Sequence, residues 1–326
     1  MLKKNSSILI TGVAGFIGFS LAEDMLNKGH KVYGIDNFDK YYSLTLKKKR
    51  LEILKKQPSF YFKNIDIVKN KELKAYLSKK KFDYIFNFAA QPGVRYSLIN
   101  PQKYVDVNII GFINLLESIK NKKIKKFFYA SSSSVYGDTN KFPVDEKQKL
   151  NPKNPYGISK RINEELAAIY SLKNKAQFIG LRFFTIYGEW GRPDMFIIKF
   201  IQKAFLNKKF ELNNAGEHYR DFTYIKDVLN ILNKLLVAKK SFKNDVFNIC
   251  TSKPIYIKKL SNILKNKLNF NKVVAINLNK ADVLKTHGNN KKLLNYIGPV
   301  KFTGINHGLK EILKWCKIQN KLLIEK

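Results

Sequence analysis

Tyr156 and Lys160 stand four residues apart, and on a helix that spacing puts a phenol and an ammonium on one face, against the same ligand. A cation one turn away favours the phenolate, so the pair can serve as a proton acceptor. Upstream, the run Ser131-Ser132-Ser133-Ser134 offers hydroxyls, Ser132 among them, that can pass or orient that proton. Oxidising an alcohol also requires a place for a hydride to go. The stretch Gly12-Val13-Ala14-Gly15-Phe16-Ile17-Gly18 is the candidate for holding such an acceptor. Its glycines let backbone approach a pyrophosphate, and a helix starting there faces the anion with its first N–H groups and the positive end of its dipole. The next apolar run, Val32 to Ile35, ends in Asp36. A carboxylate at that place accepts from both ribose hydroxyls of an adenosine and repels a 2′-phosphate, so the expected acceptor is NAD and not NADP.

The elements that must position these groups alternate. Ser7 to Thr11 reads as a strand, and Ile17, Leu21, Ala22, Met25 and Leu26 then take helical spacing. Phe60 to Phe62 is a third strand, closed by Asn64-Ile65-Asp66-Ile67. There Asp66 and Ile67 can flank an adenine ring, and Asp66 can also cap a helix over Lys69 to Leu77. A fourth strand, Tyr84 to Phe88, runs into the small residues Ala89 and Ala90 and then Gln91, leaving room beside a cofactor. Helical spacing spans Pro101 to Lys120 and includes Asn108, a polar residue that either bonds neighbouring backbone or lies near the cofactor. Phe127 to Ala130 is a fifth strand delivering the serines, a helix runs from Tyr156 to Tyr170, and Phe178 to Phe183 is a sixth strand. This order predicts a doubly wound parallel sheet of the Rossmann type, with ligands at the carboxyl ends of its strands.

Beyond Phe183 the pattern changes to a loop over Thr185 to Asp194, a helix over Phe196 to Phe205, and a strand and turn over Phe210 to Gly216. A helix over Asp221 to Ala238 and a strand over Val246 to Cys250 return to the first lobe; further helices follow near Ile257 to Leu268 and Gly308 to Cys316. The expected division is a dinucleotide-binding domain, 1–182 joined by 222–250, and a smaller C-terminal α/β substrate lobe, 183–221 with 251–326.

The 326 residues, 44% of them hydrophobic, are enough for a large α/β core. No stretch has the roughly 20 uninterrupted apolar residues of a membrane span, and Met1-Leu2-Lys3-Lys4 leads into a core strand, so a cytoplasmic protein is expected. Two cysteines, Cys250 and Cys316, and four histidines argue against a metal site or a disulfide framework. The net charge of +36 raises the question of nucleic acid. The lysines are instead scattered, as in Lys47-Lys48-Lys49-Arg50 and Lys79-Lys80-Lys81, so a solvated basic exterior is expected and a nucleic-acid partner is not.

Taken together, the glycine turn, Asp36, the serines, Tyr156 and Lys160 resemble the extended short-chain dehydrogenase/reductase family, in its nucleotide-sugar epimerase and dehydratase branch. The resemblance covers nearly the whole chain. Asp36-Asn37 with Tyr41-Tyr42, Ala89 to Ser97, Ser131 to Gly137, Leu181 to Met195, Tyr219 to Tyr224 and Ala281-Asp282-Val283 look like the UDP-glucuronate 4-epimerases. Dehydratases and the decarboxylases that make UDP-xylose carry acidic residues just before the Val-Tyr-Gly segment, where this chain has Ser133 and Ser134. Without an acid there, expelling a hydroxyl or abstracting from C5 is difficult, and simple epimerisation remains.

The resemblance implies that Tyr156, assisted by Ser132 and Lys160, takes the proton of a sugar 4-hydroxyl while the C4 hydrogen moves to NAD. The 4-keto sugar then turns over and is reduced on its other face. The cofactor-binding residues expected are Gly12, Gly15, Phe16, Ile17, Gly18, Asp36 and Asn37 at the turn and second strand, then Asp66, Ile67, Ala89, Ala90, Gln91 and Asn108. Ser131, Tyr156, Lys160 and Phe183 complete that set. Thr185, Arg192 and the small Ser133/Ser134 surface are expected to hold a glucuronate carboxylate away from decarboxylation; Arg192 can clamp it bidentately, or can order its loop or meet the diphosphate. Arg95 is a further substrate contact; Arg220 is expected at the pyrophosphate and Asp282 at the uridine ribose, a surface ion pair being the alternative for each. The expected reaction is conversion of UDP-glucuronate to UDP-galacturonate by a homodimer joined through the helices near Pro101 to Lys120 and Pro155 to Tyr170. The alternatives are 4-epimerisation of UDP-glucose or a UDP-N-acetylhexosamine, and a non-catalytic NAD-binding regulator.

Overall fold

Successive residues of the central strands are apolar on both faces, which commits the sheet to helices on each side. The computed structural model describes residues 4–277, 282–319 and 322; Ala281 lies outside them. In chain order the first half comprises β1 (Ser7–Thr11), α1 (Phe16–Asn27), β2 (Lys31–Asp36), α2 (Leu44–Lys55), β3 (Phe60–Asn64), α3 (Asn70–Ser78), β4 (Tyr84–Asn87), α4 (Val94–Ile99), α5 (Pro101–Tyr104), α6 (Gly111–Ile119), β5 (Lys126–Ser132) and α7 (Pro155–Leu172). The second half comprises β6 (Gln177–Phe183), β7 (Thr185–Tyr187), α8 (Phe196–Phe205), β8 (Phe210–Asn213), β9 (Tyr219–Tyr224), α9 (Ile225–Val237), β10 (Asn244–Ile249), β11 (Pro254–Tyr256), α10 (Ile257–Leu268), β12 (Val273–Ile276), α11 (Lys291–Ile297) and α12 (Ile305–Ile318).

Seven parallel strands form the main sheet in the order β10-β6-β5-β4-β1-β2-β3. Order reverses between β1 and β4, the switch point at which such sheets bind ligands. Alternation assigns the faces: Ile8, Ile10, Val32, Phe86, Phe128, Ile179 and Leu181 pack with α1 and α9, while Leu9, Ile35, Ile85, Phe127, Tyr129 and Phe178 pack with α3, α6 and α7. The first of these clusters continues through Phe200, Phe210, Leu260, Leu264 and Trp315, so the outer elements share a core with the sheet. They form two small sheets, β11-β9-β7 and β12-β8.

Several expectations are corrected. Asp221 begins no helix: β9 runs to Tyr224, pairing with β7 and β11, and α9 starts at Ile225. The aromatic and β-branched run Phe222-Thr223-Tyr224 opposes Thr185-Ile186-Tyr187, so part of the expected 185–194 loop is strand as well. The expected boundary at 221/222 falls inside β9. The helical stretch from Pro101 is broken by a π-helical segment, Val105–Ile110, which places Asn108. Asp66 caps no helix, since Lys69 is the N-cap residue of α3; it accepts instead from the N–H of Val68 and the amide of Asn37.

Candidate active site

Parallel register brings the carboxyl ends of β1, β2, β4, β5 and β6 to one rim, and a cleft of about 730 Å³ opens there. At its floor Gly12 has φ +69°, and a Cβ on it would lie 2.7 Å from the backbone of Phe88 and Ala89. A Cβ on Gly18 would lie 2.2 Å from the Gly12 carbonyl oxygen. Side chains are thus excluded at Gly12 and Gly18, and Gly15 caps α1 with no side-chain bond, leaving the helix start open to an anion. Asp36 is buried beside it and accepts from the N–H groups of Ala14 (3.0 Å) and Phe38 (2.9 Å). Burial raises its pKa, opposed by Lys47, those two N–H groups and Arg50. The bare glycine cradle, with a carboxylate at the end of β2, fits a dinucleotide. Phe16, Ile17, Asn37, Asp66, Ile67, Ala89, Ala90, Gln91, Ser131 and Phe183 line the same cleft. Asn108 does not: its side chain accepts from Gln91 N (2.7 Å) and donates to Gln91 O (3.2 Å) and Ser159 Oγ (3.0 Å), fixing the 89–91 turn to α7.

Ser132 ends β5, and the chain then enters a short 3₁₀ turn, Ser133–Val135, that presents all three hydroxyls, from Ser132, Ser133 and Ser134, to the cleft. Asn154 caps α7 by accepting from Gly157 N, Pro155 starts the helix, and Tyr156 and Lys160 follow one turn apart. Burial raises the Tyr156 phenol, while the Ser132 hydroxyl beside it and the Arg192 charge draw it back. The Lys160 ammonium lies 5.9 Å from the centre of the Tyr156 ring and donates to Ala130 O (2.9 Å). Burial lowers its pKa to about 8. One turn on, Glu164 accepts from Ser131 Oγ and from Nε and Nη2 of Arg182 (2.9 and 2.7 Å). Arg182 in turn donates to Tyr136 Oη, so β5, β6 and α7 share one buried polar knot.

At the outer end, Thr185, Arg192, Arg95, Arg220 and Asp282 all line the cleft. Arg192 is already paired: its Nε and Nη2 meet the two carboxylate oxygens of Asp194 at 3.0 and 2.6 Å. Burial works to raise Asp194, but the guanidinium holds it below the usual carboxylate range. Tyr41 Oη donates to the same carboxylate at 3.4 Å, and its phenol, mainly through burial, is pushed up to about 12. Asp282 accepts from Arg95 (2.6 Å) and Asn213 (2.9 Å), a contact across the mouth between α4 and the far lobe. Arg220 donates to Tyr219 O (2.8 Å).

Arg50 was hidden by its neighbours in the sequence. The basic run at 47–50 is solvated only at Lys48 and Lys49, because Arg50 is fully buried and Lys47 nearly so. Leu46, Arg50 and Leu54 are spaced four apart on the buried side of α2, the signal that would have found it. Its guanidinium donates to Ala14 O (2.8 Å), Tyr42 Oη (2.8 Å) and Trp190 O, tying the glycine turn to the loop that carries Arg192. Asp194, Glu164 and Arg182 were also unsignalled, since their roles depend on partners distant in the chain or on a loop's path.

Residues 8–250 match the model of the NAD dependent epimerase/dehydratase family. The chain is 37% identical over 315 residues to a UDP-glucuronate 4-epimerase of Thermodesulfobacterium geofontis, covering 95% of each. It is 37% identical to UDP-glucuronate 4-epimerase 4 of Arabidopsis thaliana, covering 95% of this chain and 75% of the relative. The crystal structure of UDP-glucuronic acid 4-epimerase from Bacillus cereus, in complex with UDP-glucuronic acid and NAD, superposes with a TM-score of 0.90 at 30% identity, over 96% of this chain and 99% of that one.

Proposed function

The chain belongs to the NAD-dependent epimerase/dehydratase family, and from that premise we propose that it interconverts UDP-glucuronate and UDP-galacturonate by inverting C4. The observation that carries the reading is the convergence of the Tyr156 phenol and the Ser132 hydroxyl in the cleft that begins at the glycine turn, with uncharged Ser133 and Ser134 beside them. The glycine turn, Asp36 and the 89–91 segment would hold NAD, which would supply reversible hydride acceptance and so leave the overall reaction without net redox change.

Tyr156 removes the proton of the sugar 4-hydroxyl and gives it back after the 4-keto sugar has presented its other face. Ser132 shares that hydrogen bond and orients the hydroxyl. A protonated Lys160, fixed to Ala130 O, lowers the cost of the phenolate. No acidic side chain stands at 133 or 134 to protonate a leaving hydroxyl, which supports epimerisation over elimination. In this reading the outer lobe carries the nucleotide, with Arg220 toward the diphosphate and Asp282 toward the ribose.

For the substrate carboxylate the reading assigns Thr185, Ser133, Ser134 and Arg192. Because Asp194 occupies the Nε/Nη2 edge of Arg192, a two-bond clamp on the substrate carboxylate uses the end edge, one N–H from Nη1 and the second from Nη2, with the Asp194 pair intact. The runner-up is a neutral UDP-hexose, which needs no carboxylate ligand. A panel of UDP-glucuronate, UDP-glucose and UDP-N-acetylglucosamine with product identification separates them. UDP-galacturonate without pentose is expected, and conversion of only the neutral sugars overturns the assignment. Arg192→Ala is expected to lower UDP-glucuronate turnover and release a UDP-pentose by decarboxylation; unchanged turnover with no pentose dismisses Arg192 as a carboxylate ligand.

A second copy of the chain is proposed as the cover for one apolar face. Ile158, Ile169 and Leu172 make an exposed stripe on α7, opposite its buried Asn163, Glu164 and Ala167, and Leu98, Ile99 and Ile110 are exposed on the helices before it.

A further inference from the structure

The Tyr41-Tyr42 pair follows β2 and takes no part in the chemistry above, yet both rings connect to the loop that carries Arg192. Tyr42 Oη accepts from Arg50, which also donates to Trp190 O. Tyr41 Oη donates to Asp194 (3.4 Å), and the Arg192 guanidinium lies 6.0 Å from the centre of the Tyr41 ring. Asp194 in turn takes two bonds from Arg192, at 3.0 and 2.6 Å. One aromatic side chain from the β2 side of the cleft thus meets both members of a two-bonded ion pair.

Tyr41 is itself fixed. Its N–H donates to the Asp39 carboxylate (2.9 Å), which pairs with Lys103 of α5 (2.6 Å). Its ring packs on Tyr96, the centroids 5.3 Å apart, and its hydroxyl fills the space left by Gly93, where a Cβ would lie 2.2 Å from Tyr41 Oη. Tyr104 holds that glycine by donating to the carbonyls of Pro92 and Gly93. The Tyr41 phenol, pushed up to about 12, remains a donor near neutral pH.

This frame steadies a cation near the reacting groups. Arg192 lines the cleft with Ser133 and Tyr156, and its charge is felt at the Tyr156 phenol. A free arginine side chain samples many orientations, and a grip on its Nε/Nη2 edge removes most of them, leaving the end edge aimed one way. We propose that Asp194 and Tyr41 are positioning residues that act through Arg192, fixing its end edge against the carboxylate of UDP-glucuronate. The inference rests on the UDP-glucuronate reading and adds to it the groups that make the clamp directional. Asp194 also sets a like charge behind the clamp. The guanidinium lies between the two carboxylates, so the nearer two-bond contact outweighs that repulsion.

The test measures the affinities of UDP-glucuronate and of UDP by calorimetry in the full chain, together with the products formed from UDP-glucuronate. UDP lacks the sugar carboxylate, so its affinity reports on the nucleotide site alone. Asp194→Ala is expected to weaken UDP-glucuronate about five- to tenfold, the scale of one hydrogen bond, and to leave UDP within about twofold. It is also expected to release a UDP-pentose: carbon dioxide leaves, the C5–C6 electron pair enters the 4-ketone, C5 takes a proton and the hydride returns to C4. Asp194→Asn, which keeps one acceptor oxygen, is expected to recover part of the loss, and Tyr41→Phe to weaken UDP-glucuronate about two- to threefold. In an Arg192→Ala background, Asp194→Ala is expected to add less than about twofold, because it acts through that guanidinium. UDP-glucuronate affinity unchanged or tighter in D194A, UDP weakened as much as UDP-glucuronate, or an undiminished effect in the Arg192→Ala background overturns the proposal. A wild type that converts only neutral UDP-hexoses overturns the UDP-glucuronate reading itself, and the roles of Asp194 and Tyr41 with it.

Discussion

Tyr156 holds a phenol that burial makes a poorer acid than usual, so its use as a base depends on the groups around it. Tyr156→Phe removes the acceptor without changing the shape of the cleft. It is expected to lower kcat by about 10²- to 10⁴-fold while NAD still binds, measured by turnover and by NAD titration. Normal activity in that variant removes Tyr156 from the mechanism. Lys160 gives a pH signature. Its folded pKa lies near 8, below the ordinary lysine value of 10.5, so its burial costs stability wherever it must stay charged, and the cost fades as pH rises from about 8 toward 10.5. Lys126, also lowered to about 8 by burial, acts in the same window. The Lys160 share is isolated by subtraction: the stability of wild type relative to Lys160→Met is expected to increase between pH 8 and 10.5. A difference that stays flat in denaturant titrations across that range contradicts the shift.

At the scale of elements, the tie between α7 and β6 is the Glu164–Arg182 pair, whose side chains are only 9% and 4% exposed. Glu164→Gln or Arg182→Met leaves one charge buried alone and is expected to cost about 3–5 kcal/mol in chemical denaturation. The double substitution Glu164→Leu with Arg182→Met is expected to recover much of that, because no orphan charge remains. The element order was legible in the sequence because period two and period 3.6 are local. Gly12, Asp36, Ser132, Tyr156 and Lys160 were legible because strand ends and helix starts carry them to one rim. What the sequence hid depends on long-range pairing. Phe222-Thr223-Tyr224 became strand because β7 lies alongside it, and Asn108 turned from the cofactor to Gln91 through the π-helical segment. Arg192 met Asp194 because the loop folds back on itself, and Arg50, inside a basic run, took the buried side of α2.

Across the whole molecule, 61 lysines and arginines against 25 acids make two copies repel one another. A dimer through the α7 stripe must therefore rest on apolar contact, and it is expected to tighten as salt screens the repulsion. Ile169→Asp with Leu172→Asp is expected to yield monomers by sedimentation, and a wild-type monomer at high protein concentration and high salt rules the interface out. Arg50 has a consequence on the same scale. One guanidinium grips the turn beneath the dinucleotide site and the peptide of Trp190 in the loop bearing Arg192. Whatever energy passes through that side chain is reciprocal: the factor by which a sugar nucleotide tightens the binding of NAD is the factor by which NAD tightens the binding of the sugar nucleotide. The gain in cofactor affinity and the gain in substrate affinity are then a single quantity, seen from two ends of one arginine.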